Sequence, residues 1–88
     1  MIRPGAQVVR LGSRGKGQVV RVDGSVCEVA WRQGRTHEQH RLSELAWLGL
    51  RLLTRDGRAA RVVDLGKRGD VWVRLPDIAA VVGWARMN

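Results

Sequence analysis

Apolar and polar positions alternate along this chain in short bursts, and nowhere do they hold a helical period for ten residues or more. Gln18 to Asp23 alternates, with Val20 and Val22 predicted on one face and Val19 and Arg21 on the other. Val26 to Arg32 alternates again, with Cys27, Val29 and Trp31 sharing a face opposite Val26, Glu28, Ala30 and Arg32. Asp23-Gly24 between them is a two-residue hairpin signal. Ala6 to Leu11 reads as a short strand before the glycine-rich Arg14-Gly15-Lys16-Gly17 loop. Gln33-Gly34-Arg35 is a turn, Thr36 to Leu42 a polar edge strand, and Leu42 to Leu45 a single 3₁₀ turn.

The second half follows a similar course. Trp47 to Thr54 is dense in apolar residues and predicts a buried strand. A turn at Arg55-Asp56-Gly57 leads to a strand over Arg58 to Leu65, then the Gly66-Lys67-Arg68-Gly69 loop. Val71 to Leu75 places Val71, Val73 and Leu75 on one face and Trp72 and Arg74 on the other, until Pro76-Asp77 breaks it. Ile78 to Val82 is a final short strand or a helical turn, which periodicity over five residues does not decide. The reading is a mostly β protein of two tandem halves, 1–48 and 49–88. Units this small are marginal as separate folds, so the halves are expected to pack on each other or on a second copy of the chain, as a homo-oligomer.

Composition adds a charge bias. Sixteen Lys and Arg face eight Asp and Glu, a formal net charge of +8, and every cation except Lys16 and Lys67 is arginine. Guanidinium groups match phosphate and stack on bases, so nucleic acid leads the candidate partners, with an acidic protein behind it. Arginine-rich codon usage explains the preference for Arg over Lys equally well, but not the net excess of positive charge. The single cysteine, Cys27, excludes an internal disulfide and reads as a buried thiol in a reducing cytoplasm. No apolar run has the length of a membrane helix, so the expectation is a soluble chain with no membrane partner.

Candidate contacts follow from these patterns. Arg14 and Lys16 in the first loop, and Lys67 and Arg68 in its counterpart, pair cations with glycines that let the backbone approach an anion. Arg21, Arg32, Arg35 and Arg41 lie on or beside strands of the first half, as Arg58, Arg61 and Arg74 do in the second. On adjacent strands, outward arginines would form a stripe, which Glu28, Glu38 and Asp64 could partly neutralise. Trp31 has core neighbours at the second and fourth positions before it and reads as core. Trp72 shares a face with Arg74, which fits a base-stacking platform, a cover over the seam between halves, or a dimer contact. Trp47 and Trp84 follow the two closing segments and read as end plugs. His37 and His40, three apart on a strand, point to opposite faces and read as two exposed histidines rather than a metal pair. No catalytic set has usable spacing, so neither an enzyme nor a cofactor is expected.

Gly5-Ala6-Gln7-Val8-Val9, Gly15-Lys16-Gly17-Gln18-Val19-Val20, Val29-Ala30-Trp31, the Gly34 turn and Leu42-Ser43-Glu44-Leu45 together resemble SH3-like barrels of the KOW and Tudor-like class. Gly57, Arg61-Val62-Val63 and Val71-Trp72-Val73 are similar in outline. The resemblance implies small SH3-like barrels that touch RNA, DNA or polymerase through the first loop and neighbouring strands. With no Phe and no Tyr, an aromatic cage for methylated side chains is not supported. Plasmid-borne type II dihydrofolate reductases are also SH3-like, but Glu38-Gln39-His40-Arg41 stands where their Val-Gln-Ile-Tyr run is needed. The expected function is therefore a small nucleic-acid-binding accessory protein of low sequence specificity. The alternative is an interaction module docking on a transcription, translation or mobile-element complex.

Overall fold

The computed structural model describes residues 2–13 and 15–84. Its strands are β1 (Gln7–Arg10), β2 (Lys16–Asp23), β3 (Val26–Trp31), β4 (Thr36–Arg41), β5 (Leu45–Ala46), β6 (Arg51–Leu53), β7 (Ala59–Leu65), β8 (Val71–Arg74) and β9 (Val81–Gly83), with a 3₁₀ turn at Leu42–Glu44. They form two antiparallel sheets. The first has the order β4-β3-β2-β1-β5, because the 3₁₀ turn returns the chain to pair with β1. The second is the meander β6-β7-β8-β9. Among the described residues no helix is long and apolar enough to cross a membrane.

Two hydrophobic clusters share two strands. Side chains alternate across a strand, and here both sides of β1 and β5 are buried. Val8 and Leu45 join Ile2, Val19, Cys27 and Val29 in one cluster. Val9 and Ala46, their immediate neighbours, join Ala60, Val62, Val71, Val73 and Leu75 in the other. The first sheet is thus the floor of one core and the roof of the next. Each fully buried valine contributes about 1.5–3 kcal/mol of burial, so both clusters depend on one pair of central strands.

The two sheets repeat several backbone details. Gly5 N–H donates to the Val19 carbonyl and Val19 N–H to the Ala6 carbonyl, as Gly49 N–H does to Val62 and Val62 N–H to Leu50. Both glycines need positive φ, 91° and 88°. A β-bulge follows each of these valines, at Val20 and at Val63.

The bulge corrects the predicted faces of β2. One extra residue reverses the alternation, so Val19 and Val22 both turn inward while Val20 is exposed. The hairpin after β2 closes one residue later than expected, on Gly24 and Ser25. Gly24 alone has positive φ, as a type II′ turn requires. Trp47–Thr54 is not a buried strand: β6 lies at the edge of the second sheet, with Leu48 and Leu53 61% and 71% exposed. Apolar density misled there because only Leu50 and Leu52 pack against the second cluster, while Leu48 and Leu53 face outward. The segment Ile78–Val82 resolves into an exposed turn and the short β9.

Three residues are set by local geometry. Gly17 belongs to β2 rather than to a flexible loop; a β-carbon built there falls 2.5 Å from Val29 Cγ1 and 2.7 Å from Trp31 Cε3. Arg32 and Gln33 both have positive φ, 52° and 58°, in the turn where Gly34 N–H donates to the Trp31 carbonyl. Gly17→Ala is expected to destabilise the protein by about 1–3 kcal/mol through overpacking, and Gln33→Gly to stabilise it by about 1 kcal/mol by relieving the left-handed conformation. Urea unfolding midpoints of the two variants check both signs.

Candidate nucleic-acid interface

The outward face of the second sheet carries an arginine row. Register places Arg51 opposite Arg61, and Arg61 opposite Arg74, across β6, β7 and β8. All three are exposed. Strands about 4.8 Å apart set the row's length at roughly 10 Å. Like charges directly opposite one another destabilise a sheet, by roughly 0.2–1 kcal/mol per pair. Among the described residues none of the three has a carboxylate partner within 4.0 Å. The row lines a concavity of about 570 Å³ with Ala59, Leu75, Pro76, Asp77, Ile78 and Ala79. Its one acid, Asp77, lies 3.5 Å from Arg58 Nη1. An anion in this hollow would replace mutual repulsion among the guanidiniums with charge-assisted hydrogen bonds.

Trp72 stands on the same face, two residues before Arg74 on β8 and opposite Gly83 on β9. A β-carbon at Gly83 would lie 3.8 Å from Trp72 Cζ3, so the indole extends over the bare glycine. Beside it opens a cleft of about 360 Å³ lined by Trp72, Trp84, Arg10 and the backbone of Gly12, Gly69 and Gly83, among others. Arg10 and Ser13 also line a neighbouring hollow of about 300 Å³ with Lys16, Trp31, Arg32 and Glu38.

The loops that join these clefts differ from the predicted phosphate cradles. Arg14 lies outside the described residues. Gly15 has φ 104°, but its N–H donates to the Arg68 carbonyl at 3.0 Å, so this donor ties the two glycine loops together. Gly66 and Gly69 N–H groups are likewise used, on Asp70 and Gly66 carbonyls. These three glycine donors are therefore spent on the fold, and beside them the loops present cationic side chains. Lys67 and Arg68 are exposed, and Lys16 is half-buried at the start of β2.

First-half arginines do not join the row. Arg21 Nη2 lies 3.4 Å from Glu28 Oε1, and Glu28 Oε2 also meets His37 Nδ1 at 2.9 Å. Arg32 and Arg35 occupy the turn at one end of the β3-β4 hairpin. Arg41 pairs with Val26 at the other end, five residues or about 16 Å along the strands. In the second half Arg58 departs from the predicted free cation: its Nε lies 2.8 Å from Asp56 Oδ2, and its guanidinium links Asp56 to Asp77. Arg51 was missed. Only strand register reveals it, because its significance lies in facing Arg61.

His40 corrects the expectation of two exposed histidines. It is 6% exposed, and Trp31 Nε1–H donates to its Nε2 at 3.1 Å. The rings meet edge to face with centroids 5.5 Å apart. The accepting Nε2 assigns the neutral Nδ1–H tautomer, which faces Glu44 Oε2 at 3.4 Å. His37 does point to the other face and is exposed. Trp31 and Trp47 pack against the first cluster and Trp84 against the second. Cys27 is buried, and burial raises its thiol pKa. Among the described residues no three of His, Cys, Asp and Glu gather as a metal site.

No protein-family model, curated protein or solved structure matches this chain.

Two carboxyls titrate below their ordinary range. A hydrogen bond from His40, with smaller help from the Arg41 backbone and nearby charge, lowers Glu44. Hydrogen bonds from Thr54 and then Arg58 lower Asp56. A folded-state pKa below the unfolded one stabilises above the ordinary carboxylate value, about 4, and that stability is lost as pH falls through the folded value. Glu44→Gln and Thr54→Val are therefore expected to flatten the acid limb of stability against pH below about 4, as followed by thermal melts. An unchanged limb in both variants contradicts the assignment.

Proposed function

We propose that this protein binds nucleic acid through its phosphate backbone, with little sequence preference, on two tandem SH3-like halves packed together. The repeated bulges and the paired glycine hydrogen bonds, set against the return of β5 to β1, support the tandem SH3-like reading. The arginine row Arg51-Arg61-Arg74 carries the functional one. Three opposed guanidiniums, exposed and without a described carboxylate partner, form a surface that repels itself until a polyanion covers it. Flanking cations extend the field: Lys67 and Arg68 at the loop junction, Arg10 and Lys16 in the adjoining clefts. Strand arginines without a recognition helix contact phosphate rather than base edges, which gives affinity with little sequence readout.

The second reading, a module that docks an acidic protein, draws on the same row. Exposed Leu53 and Ile78 beside it add apolar area that a folded partner would cover. A partner recovered from lysate after nuclease treatment, and competed by no oligonucleotide, favours this reading.

Fluorescence anisotropy of labelled oligonucleotides between 50 and 200 mM salt tests the proposal. Affinity is expected to fall steeply with salt, and each of Arg51→Gln, Arg61→Gln and Arg74→Gln to reduce the log–log slope by about 0.7–0.9 for the phosphate contact it loses. Arg21→Gln, whose charge Glu28 already balances, is expected to change the slope far less. A salt-insensitive affinity, or equal losses for all four variants, contradicts the proposal.

A further inference from the structure

We infer that the Trp72 indole is a stacking platform for an unpaired nucleobase, so that the nucleic acid held by the arginine row is single-stranded. This rests on the nucleic-acid reading above and makes it specific.

Trp72 belongs to neither hydrophobic cluster. The seam between the sheets is filled instead by Val9, Ala46 and Leu11. An indole left 39% exposed on a sheet face needs another explanation. Its position opposite Gly83 supplies one. A β-carbon there would only touch the ring edge, 3.8 Å from Cζ3, and glycine leaves the indole lying over the bare backbone of β9 with 39% of the residue exposed. A flat aromatic surface backed by sheet and open to solvent is what a base requires for stacking.

Across β7 the indole is opposite Asp64, whose Oδ1 is engaged by the Leu65 N–H; along β8 and toward β9 the surroundings match one nucleotide's two ends. Trp72 and Arg74 point the same way, two residues and about 7 Å apart along β8, so a base on the indole places its own sugar–phosphate near the row. On the other side of Trp72, the cleft with Trp84 and Arg10 continues the same combination of aromatic ring and guanidinium. A duplex would find no use for this arrangement. Its bases are stacked on each other, and the described elements include no α-helix to enter a groove. The arginine row alone would serve a duplex as well as a single strand; the exposed indole beside it separates them.

A twelve-residue oligothymidylate, the same backbone with abasic sites, and a duplex of equal length provide the test, measured by anisotropy on wild type, Trp72→Leu and Trp72→Phe. Wild type is expected to bind the oligothymidylate on the order of ten-fold more tightly than the abasic strand. Trp72→Leu should lose that preference while keeping its affinity for the abasic strand, and Trp72→Phe should retain most of it. Equal binding of thymidylate and abasic strands by wild type overturns the inference. So does a Trp72→Leu loss that is the same for the duplex, or one accompanied only by a change from dimer to monomer in sedimentation. In these cases the salt slopes of the arginine variants still stand or fall separately. Failure of all three ligands to bind overturns the parent reading together with this one.

Discussion

Burial of β1 and β5 on both faces is the constraint on which this protein rests. Most strands in a small domain have one dry face and one wet face. Here Val8 and Val9, and again Leu45 and Ala46, point their side chains into different clusters while sharing a backbone. Neither cluster is complete without those four residues. At this size a chain buries a modest share of its surface, and sharing strands lets one set of backbone hydrogen bonds support two apolar layers.

That economy decides what is left outside. With its inner face committed to the shared core, the second sheet has one surface to offer, and the chain has put Arg51, Arg61, Arg74 and Trp72 on it. Several acids are tied down, Glu28 with Arg21 and His37, Glu44 with His40, Asp56 and Asp77 with Arg58, while Asp64 stands on this face opposite Trp72 with its Oδ1 accepting from the Leu65 N–H. Arg58 engages Asp77, the one acid among the described residues that line the arginine hollow. The hydrogen bond from Gly15 N–H to the Arg68 carbonyl joins the two glycine loops that carry Lys16, Lys67 and Arg68.

Much of the scaffold was legible in the sequence. The alternation of β3 and β8 reported their inward faces correctly, and the 3₁₀ turn at Leu42 and the polar edge strand β4 followed from residue type. Where reading failed, a non-local cause is visible. The bulge at Val20 reverses a face without any glycine or proline to announce it. His40 looks polar in isolation and becomes buried because Trp31, nine residues earlier, offers it a hydrogen-bond donor. Arg61 and Arg74 were recognisable as outward cations, but Arg51 was hidden in a segment that looked buried. Arg21 looked available because its partner lies across a hairpin, and Arg58 because one partner, Asp77, is distant, although the other, Asp56, is only two residues away. Pairing determines which charges remain unbalanced, and pairing is set by register.

Native-state hydrogen exchange on a Val9→Ala variant tests the shared-strand account most directly. Removing two methyl groups from the second cluster is predicted to lower protection of Val62 and Val73 amides, and of Val19 and Val29 amides in the first sheet, by the same factor, because both sheets open in one cooperative event. Full protection retained at Val19 and Val29 while Val62 and Val73 exchange freely would show two independent units and contradict it.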